Sequence, residues 1–214
     1  KQERTMRLKV ILIGIILVSA TFPLHAQEEN WGLGVHLVVS LPQQGFDNLS
    51  RDGEGIGTKV FYRLNPWFSL RGDLAYLSYG ERRNSEMSSY GYWLVTRRNE
   101  SFQLALGPQL CHQIGRITPY AAAMGGFYYY HTVTTYEDYY SYYSYPYTEN
   151  SNGQSKLGWS LSSGLLIDLG IGAHLDFGFK LQNIRKVETT IKEVTTRQTG
   201  VDYVITLGAV FFRN

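Results

Sequence analysis

Leu157, Trp159, Leu161, Ser163, Leu165 and Ile167 stand at every second position of one stretch, with Gly158, Ser160, Ser162, Gly164, Leu166 and Asp168 between them. After Leu169-Gly170-Ile171-Gly172 the alternation resumes with Ala173, Leu175, Phe177, Phe179 and Leu181, interleaved with His174, Asp176, Gly178, Lys180 and Gln182. A period of two sustained this long predicts two strands whose faces meet different environments. The pattern recurs along the chain. Within 31–40, Leu33, Val35, Leu37 and Val39 oppose Gly34, His36, Val38 and Ser40; within 54–63, Ile56, Thr58, Val60 and Tyr62 oppose Gly55, Gly57, Lys59 and Phe61. Within 67–79, Phe68, Leu70, Leu74 and Tyr76 oppose Ser69, Arg71, Asp73 and Ala75. Within 93–111, Phe102, Leu104, Leu106 and Leu110 oppose Ser101, Gln103, Ala105 and Gln109. A fifth strand after Pro119 carries Tyr120, Ala122, Met124 and Tyr128 on one face, and the last sets Val201, Tyr203, Ile205, Leu207, Ala209 and Phe211 against Asp202, Val204, Thr206 and Gly208.

Eight strands result, and their connections alternate in length. Long polar connections at 41–53, 80–92, 132–155 and 186–200 are separated by short ones at Asn65-Pro66, 112–118 and 169–172. Proline's fixed φ and missing donor suit the first short turn. No βαβ pattern or convincing amphipathic helix interrupts them. This order predicts an all-β fold, an eight-stranded antiparallel up-and-down transmembrane β-barrel with short periplasmic turns, long outer loops and both termini on the periplasmic side. Residues 186–200 are a candidate strand extension beyond the membrane.

Alternation alone also suits a soluble, secreted lipocalin-like barrel that binds an apolar ligand, with Leu175, Phe177 and Phe179 turned inward. Side-chain bulk separates the two. An eight-stranded interior is just wide enough for its side chains, whereas the apolar face holds Trp159, Phe177, Phe179, Phe102, Phe68 and many leucines. The other face, rich in Gly, Ala and Ser, suits a narrow lumen. Trp31, Tyr62, Trp67, Tyr76, Trp93, Tyr120, Tyr128, Trp159, Tyr203 and Phe211 gather towards strand ends, where aromatic girdles are expected.

Composition sharpens this picture. The 214 residues include 17 Tyr and 22 Gly, with charged residues at only 18% and a formal net charge of +2. No basic stripe points to nucleic acid. The single cysteine, Cys111, forms no intramolecular disulfide and reads as a small strand residue. Lys1, Arg4, Arg7 and Lys9, the short apolar run 10–20, Pro23 and the small Ala26 together predict an export signal over 1–26, leaving 27–214 as the barrel. The apolar run is too short to span a bilayer.

Over 31–214 the chain resembles the OmpA/OmpX-like outer-membrane β-barrel domains, particularly their Gly- and Tyr-rich relatives. The resemblance rests on the alternating strands and the alternating loop lengths. The last strand resembles the family's assembly signal, although Phe211-Phe212 is followed here by Arg213-Asn214, whereas the family pattern closes on the aromatic. The resemblance implies an integral, non-enzymatic protein of the bacterial outer membrane with a structural, adhesive or accessory role. It implies contact with outer-membrane lipid and lipopolysaccharide and no cofactor. No wall-anchoring role carries over from longer relatives.

Two groups of residues carry candidate chemistry. The first lies on the expected lumen face: His36, Lys59, Arg71, Asp73, Gln103, His174, Asp176, Lys180 and Asp202. Such charges need partners when buried, so a mutually paired structural network is favoured over an ion path, and an open solute pore is not expected. Arg71-Gly72-Asp73 spells a short integrin-ligand tripeptide, but its two charges point inward mid-strand. His174 and Asp176 share a face at i, i+2, without the further ligands a metal needs. Ser, His and Asp all occur, so an outer-membrane enzyme acting on lipid or peptide is an alternative. No nucleophile elbow or paired-carboxylate spacing supports it. The second group is a crowded run in the third long connection: Tyr136, Tyr139, Tyr140, Tyr142, Tyr143, Tyr145 and Tyr147. Tyrosine offers large, fairly rigid contact area with a hydroxyl, which suits a surface protein or glycan. Packing of these rings on one another or on lipopolysaccharide is the equal alternative.

Overall fold

The computed structural model describes residues 30–43, 51–88, 91–138, 147–150, 153–170, 172–191 and 194–212. The expected export signal over 1–26 lies outside them. Ten strands run in chain order: β1 (Trp31–Gln43), β2 (Gly53–Asn65), β3 (Phe68–Tyr79), β4 (Arg82–Ser88), β5 (Gly91–Cys111), β6 (Ile117–Asp138), β7 (Tyr147–Asn150), β8 (Gln154–Asp168), β9 (Ala173–Ile191) and β10 (Val194–Phe212). They pair antiparallel in the order β4-β5-β3-β2-β1-β10-β9-β8-β6-β7, and an additional β5–β6 ladder closes the ring. β4 extends β3 along β5, and β7 extends β8 along β6, so the closed wall has eight strands. Closure removes the sheet edges that a strand protein in lipid cannot leave unpaired.

The short turns are built by local chemistry. Trp67 N donates to Asn65 Oδ1 at 2.9 Å, so the asparagine side chain helps shape the β2–β3 turn around Pro66. In the β8–β9 turn Gly170 (φ 80°) and Gly172 (φ 72°) take left-handed backbone that other residues avoid. Asp168 Oδ1 there accepts from Gly170 N at 2.7 Å.

The two faces of the wall separate as the alternation requires. Arg71, Asp73 and Ala75 of β3 are buried in the lumen while Leu70, Leu74 and Tyr76 are exposed outside, and Ser101, Gln103 and Ala105 of β5 are inward while Phe102, Leu104 and Leu106 are outward. Phe177 and Phe179 are 43% and 46% exposed on the outer wall. That excludes the lipocalin-like arrangement, which needs them inside. An apolar surface encircling the molecule far exceeds the few hundred Å² a water-soluble monomer exposes; lipid is the solvent it fits. Trp31, Trp67 and Phe211 mark its short-turn border; Tyr76, Trp159 and Tyr203 mark the other.

Two expectations are corrected. Tyr120 and Tyr128, expected in the girdles, point into the lumen and are buried. Glycines opposite them make the room: a methyl built on Gly164 or Gly178 would strike Tyr120, and one on Gly126 or Gly158 would strike Tyr128. The expected polar connections 80–92 and 132–155 are also largely strand among the described residues, contributing β4, β7 and the outer parts of β5 and β6, whereas 186–200 forms the strand extension expected of it, in the outer parts of β9 and β10. Their Thr, Val, Tyr and Trp content favours extended backbone even where the segment is polar.

Candidate functional site

The charged lumen residues come from strands on opposite sides of the ring, so that antiparallel closure brings residues more than a hundred positions apart together. Arg71 anchors one half. Its Nε donates to Asp73 Oδ1 at 2.7 Å and its Nη2 to Asp73 Oδ2 at 2.9 Å, a bidentate pair. Nη1 reaches Gln109 Oε1 at 3.3 Å and Ser162 Oγ at 3.4 Å. The guanidinium lies 5.4 Å from the Tyr120 ring centroid and 5.9 Å from that of Phe61. Lys59 anchors the other half, ion-paired to Asp176 and donating to Thr206 Oγ1 at 3.2 Å. Tyr120 OH donates to Asp176 Oδ1 at 2.8 Å, tying the halves together. Lys180 lies within electrostatic reach of Asp73 and Asp202, and Tyr79 OH donates to Asp202 Oδ2 at 3.2 Å from across the barrel. Three cations and three carboxylates are thereby buried in one formally neutral interior.

Apolar side chains cap this band. Phe61, Tyr120, Leu166 and Val210 pack at the short-turn end with Cys111 and Phe212 against them. Val38, Leu77, Tyr79, Tyr128, Tyr130, Ile184 and Val204 fill the other half. Lys59, Leu77, Tyr79 and Gln182 are 0% exposed, so bulk water does not reach the middle of the lumen.

His36 is buried between Gly57, whose methyl would strike its ring, and Gly208, whose methyl would strike its Cβ and the neighbouring backbone. His174 stands apart from the others. It is half-buried at the short-turn rim, edge-on to Phe212 at 5.1 Å, while Asp176 is committed to Lys59 and Tyr120. The i, i+2 spacing therefore does not bring His174 and Asp176 to a common ligand. Among the described residues no group of three or more His, Cys, Asp or Glu is placed to hold a metal. Arg71 and Asp73 of the tripeptide bind each other inside the wall. Of the tyrosine run, Tyr139, Tyr140, Tyr142, Tyr143 and Tyr145 lie outside the described residues. Tyr136 and Tyr147 are paired in register between β6 and β7.

Sequence reasoning missed the tyrosines and amides that complete the interior. Tyr79, Tyr120 and Tyr128 have a signal in the sequence, since each falls on a lumen face beside inward glycines of neighbouring strands. Gln182 falls on the same alternate set as Asp176 and Lys180; it is fully buried, yet neither end of its amide has a hydrogen-bond partner among the described residues.

No protein-family model and no curated relative matches the chain. Solved structures do. The crystal structure of Neisserial surface protein A (NspA) superposes with a TM-score of 0.56 at 14% identity, covering 85% of this chain and 96% of that one. The crystal structure of the outer membrane protein OprG from Pseudomonas aeruginosa gives 0.52 at 10% identity, covering 87% and 97%. At such identities the likeness concerns the backbone. Together with the apolar outer wall, it establishes a transmembrane β-barrel with the architecture of small bacterial outer-membrane proteins.

Proposed function

We propose that the protein is a non-enzymatic scaffold of the outer membrane whose work is done at the cell surface. The reading rests on the contrast between a filled interior and a raised rim. Inside, Arg71 is bound to Asp73 and Lys59 to Asp176, with Tyr79 on Asp202, which favours a load-carrying network over a conduit or catalytic centre. Outside, the β5–β6 ladder continues from Phe102↔Tyr129 near the lipid border to Trp93↔Asp138. At about 3.4 Å per residue this adds roughly 30 Å of paired strand, flanked by β4 and β7. The tyrosine run 136–147 begins on this platform. Tyr-rich surfaces bind at low entropic cost, so we assign the run a contact role towards a surface protein or glycan, with lipid and lipopolysaccharide around the wall below.

Deleting residues 136–147 tests the assignment. The shortened barrel should still show heat-modifiable migration when recovered from outer membranes. Adherence of cells displaying it to immobilised glycans and matrix proteins should fall against wild type. Unchanged adherence with intact assembly removes the tyrosine run from the function.

A further inference from the structure

The hairpin joining β5 to β6 carries the lipid-facing wall past its own aromatic border. Leu106 and Leu110 point outward on β5, and His112 falls on the same alternate set. The chain then reverses tightly. Ile114 N donates to Ile117 O at 2.7 Å and Ile117 N to Ile114 O at 3.1 Å, with Gly115 (φ 61°) and Arg116 between them at the tip. Gln113 Nε2 donates to Gly115 O at 3.2 Å, which fixes the bend. Ile114 and Ile117 are both exposed, and so is Trp67 of the neighbouring β2–β3 turn. The Trp67 and His112 rings stack 4.2 Å apart and 12° from parallel, so the two turns present one surface.

Charge is added to this apolar tip with one sign. Arg116 is exposed and makes no ion pair among the described residues. Its carbonyl accepts from Asp168 N at 2.8 Å, which ties the tip to the β8–β9 turn and fixes where the guanidinium starts. Residues 112–116 contain no carboxylate. A single exposed isoleucine would be ordinary, but a patch continuous with a lipid-facing wall marks an interaction surface. The short turns lie on the periplasmic side, where the leaflet is phospholipid. Apolar groups that continue the wall, with a long cation beside them, match a headgroup boundary: the stems stay with acyl chains while the charged end reaches phosphate.

We propose that the β5–β6 turn, together with Trp67, is a docking surface for the phosphodiester headgroup of an anionic phospholipid. Arg116 meets the phosphate with paired N–H donors, and the His112 ring N–H adds another. Trp67, Ile114 and Ile117 pack against the first acyl carbons. An anionic lipid fits better than a zwitterionic one, whose own ammonium already neutralises its phosphate and finds no carboxylate in this turn. The surface lies at the opposite end of the barrel from the tyrosine run and holds whatever that run contacts.

Native mass spectrometry of the barrel released from nanodiscs of equal phosphatidylglycerol and phosphatidylcholine tests this. Wild type should retain phosphatidylglycerol in preference to phosphatidylcholine, a readout that needs no variant. Arg116→Gln should lower the preference about fivefold, equivalent to about 1 kcal/mol for one cation at an anionic surface. His112→Phe keeps a ring on Trp67 but loses the N–H, and should lower it about twofold. Ile114→Glu should remove it by repelling the phosphate. Arg83→Gln, at the opposite rim where Arg83 is paired with Glu81 at 3.7 Å, should leave it unchanged. All four positions are exposed, and heat-modifiable migration verifies that each variant is folded. Excess inorganic phosphate should not displace the lipid, because it makes none of the acyl contacts. Equal retention of the two lipids by wild type, a preference that survives Arg116→Gln, an equal fall with Arg83→Gln, or displacement by inorganic phosphate would each overturn the docking surface.

Discussion

Arg71→Met is the sharpest test of the interior. The substitution removes a guanidinium that makes two charge-assisted bonds of 2.7 and 2.9 Å to Asp73, together with its contacts to Gln109 and Ser162. Two unit charges about 4 Å apart attract by about 4 kcal/mol at an effective dielectric of 20, and taking both ions out of water offsets much of that. The pair therefore adds little net stability. Losing one partner is another matter, because the Asp73 carboxylate is then left in a site that bulk water does not reach, at a cost of about 3–5 kcal/mol. Methionine retains most of the stem's packing against Phe61 and Tyr120, so the loss reports charge more than volume. The assay is equilibrium urea unfolding from phospholipid vesicles, followed by the fluorescence of the four tryptophans, with heat-modifiable migration scoring the folded fraction. Arg71→Met/Asp73→Asn removes both charges and should recover about half of the single-variant loss. A loss below about 1 kcal/mol for Arg71→Met, or a double variant at the sum of the two singles, would refute a mutually dependent pair.

Other substitutions probe different parts of the molecule. Leu104, outward and level with Leu74 and Phe127, should cost about 2–4 kcal/mol as Leu104→Arg near the bilayer midplane, while Leu104→Phe stays near neutral; an Arg tolerated there would mean the wall faces water. Gln182→Met should leave stability unchanged or raise it, opposite in sign to Arg71→Met, because it removes a buried amide without partners in exchange for a similar volume; a loss above about 2 kcal/mol in the same unfolding assay would show that the amide is bonded. Intact mass and N-terminal sequencing of protein recovered from outer membranes should find the chain starting at Gln27; retention of 1–26 would remove the export-signal reading.

The barrel was legible because membrane strands must segregate their faces. Leu157 to Ile167 and Leu175 to Phe179 could only be one surface, and the inward set had to contain Lys59, Arg71, Asp73 and Asp176. What alternation cannot give is which inward residues meet across the ring. Lys59 and Asp176 are 117 positions apart, and their contact depends on closure and stagger, which no local pattern encodes. The same limit misplaced Tyr120 and Tyr128. A tyrosine near a strand end reads as a girdle residue until the glycines of the adjoining strands are known to lie beneath it. The connections 80–92 and 132–155 failed for a different reason. Polarity there signals water, and water is compatible with a strand as readily as with a loop when Thr, Val and Tyr dominate.

Those mislabelled connections change what the surface end is. A tyrosine run on a long flexible loop would lose conformational entropy on every contact it made. Here the strands rise through the lipid border with their ladders intact, and Tyr136 and Tyr147 are already held in register at the base of the run. The filled lumen contributes to the same end. Its paired charges fix the stagger of the wall, and that stagger sets where each raised strand finishes.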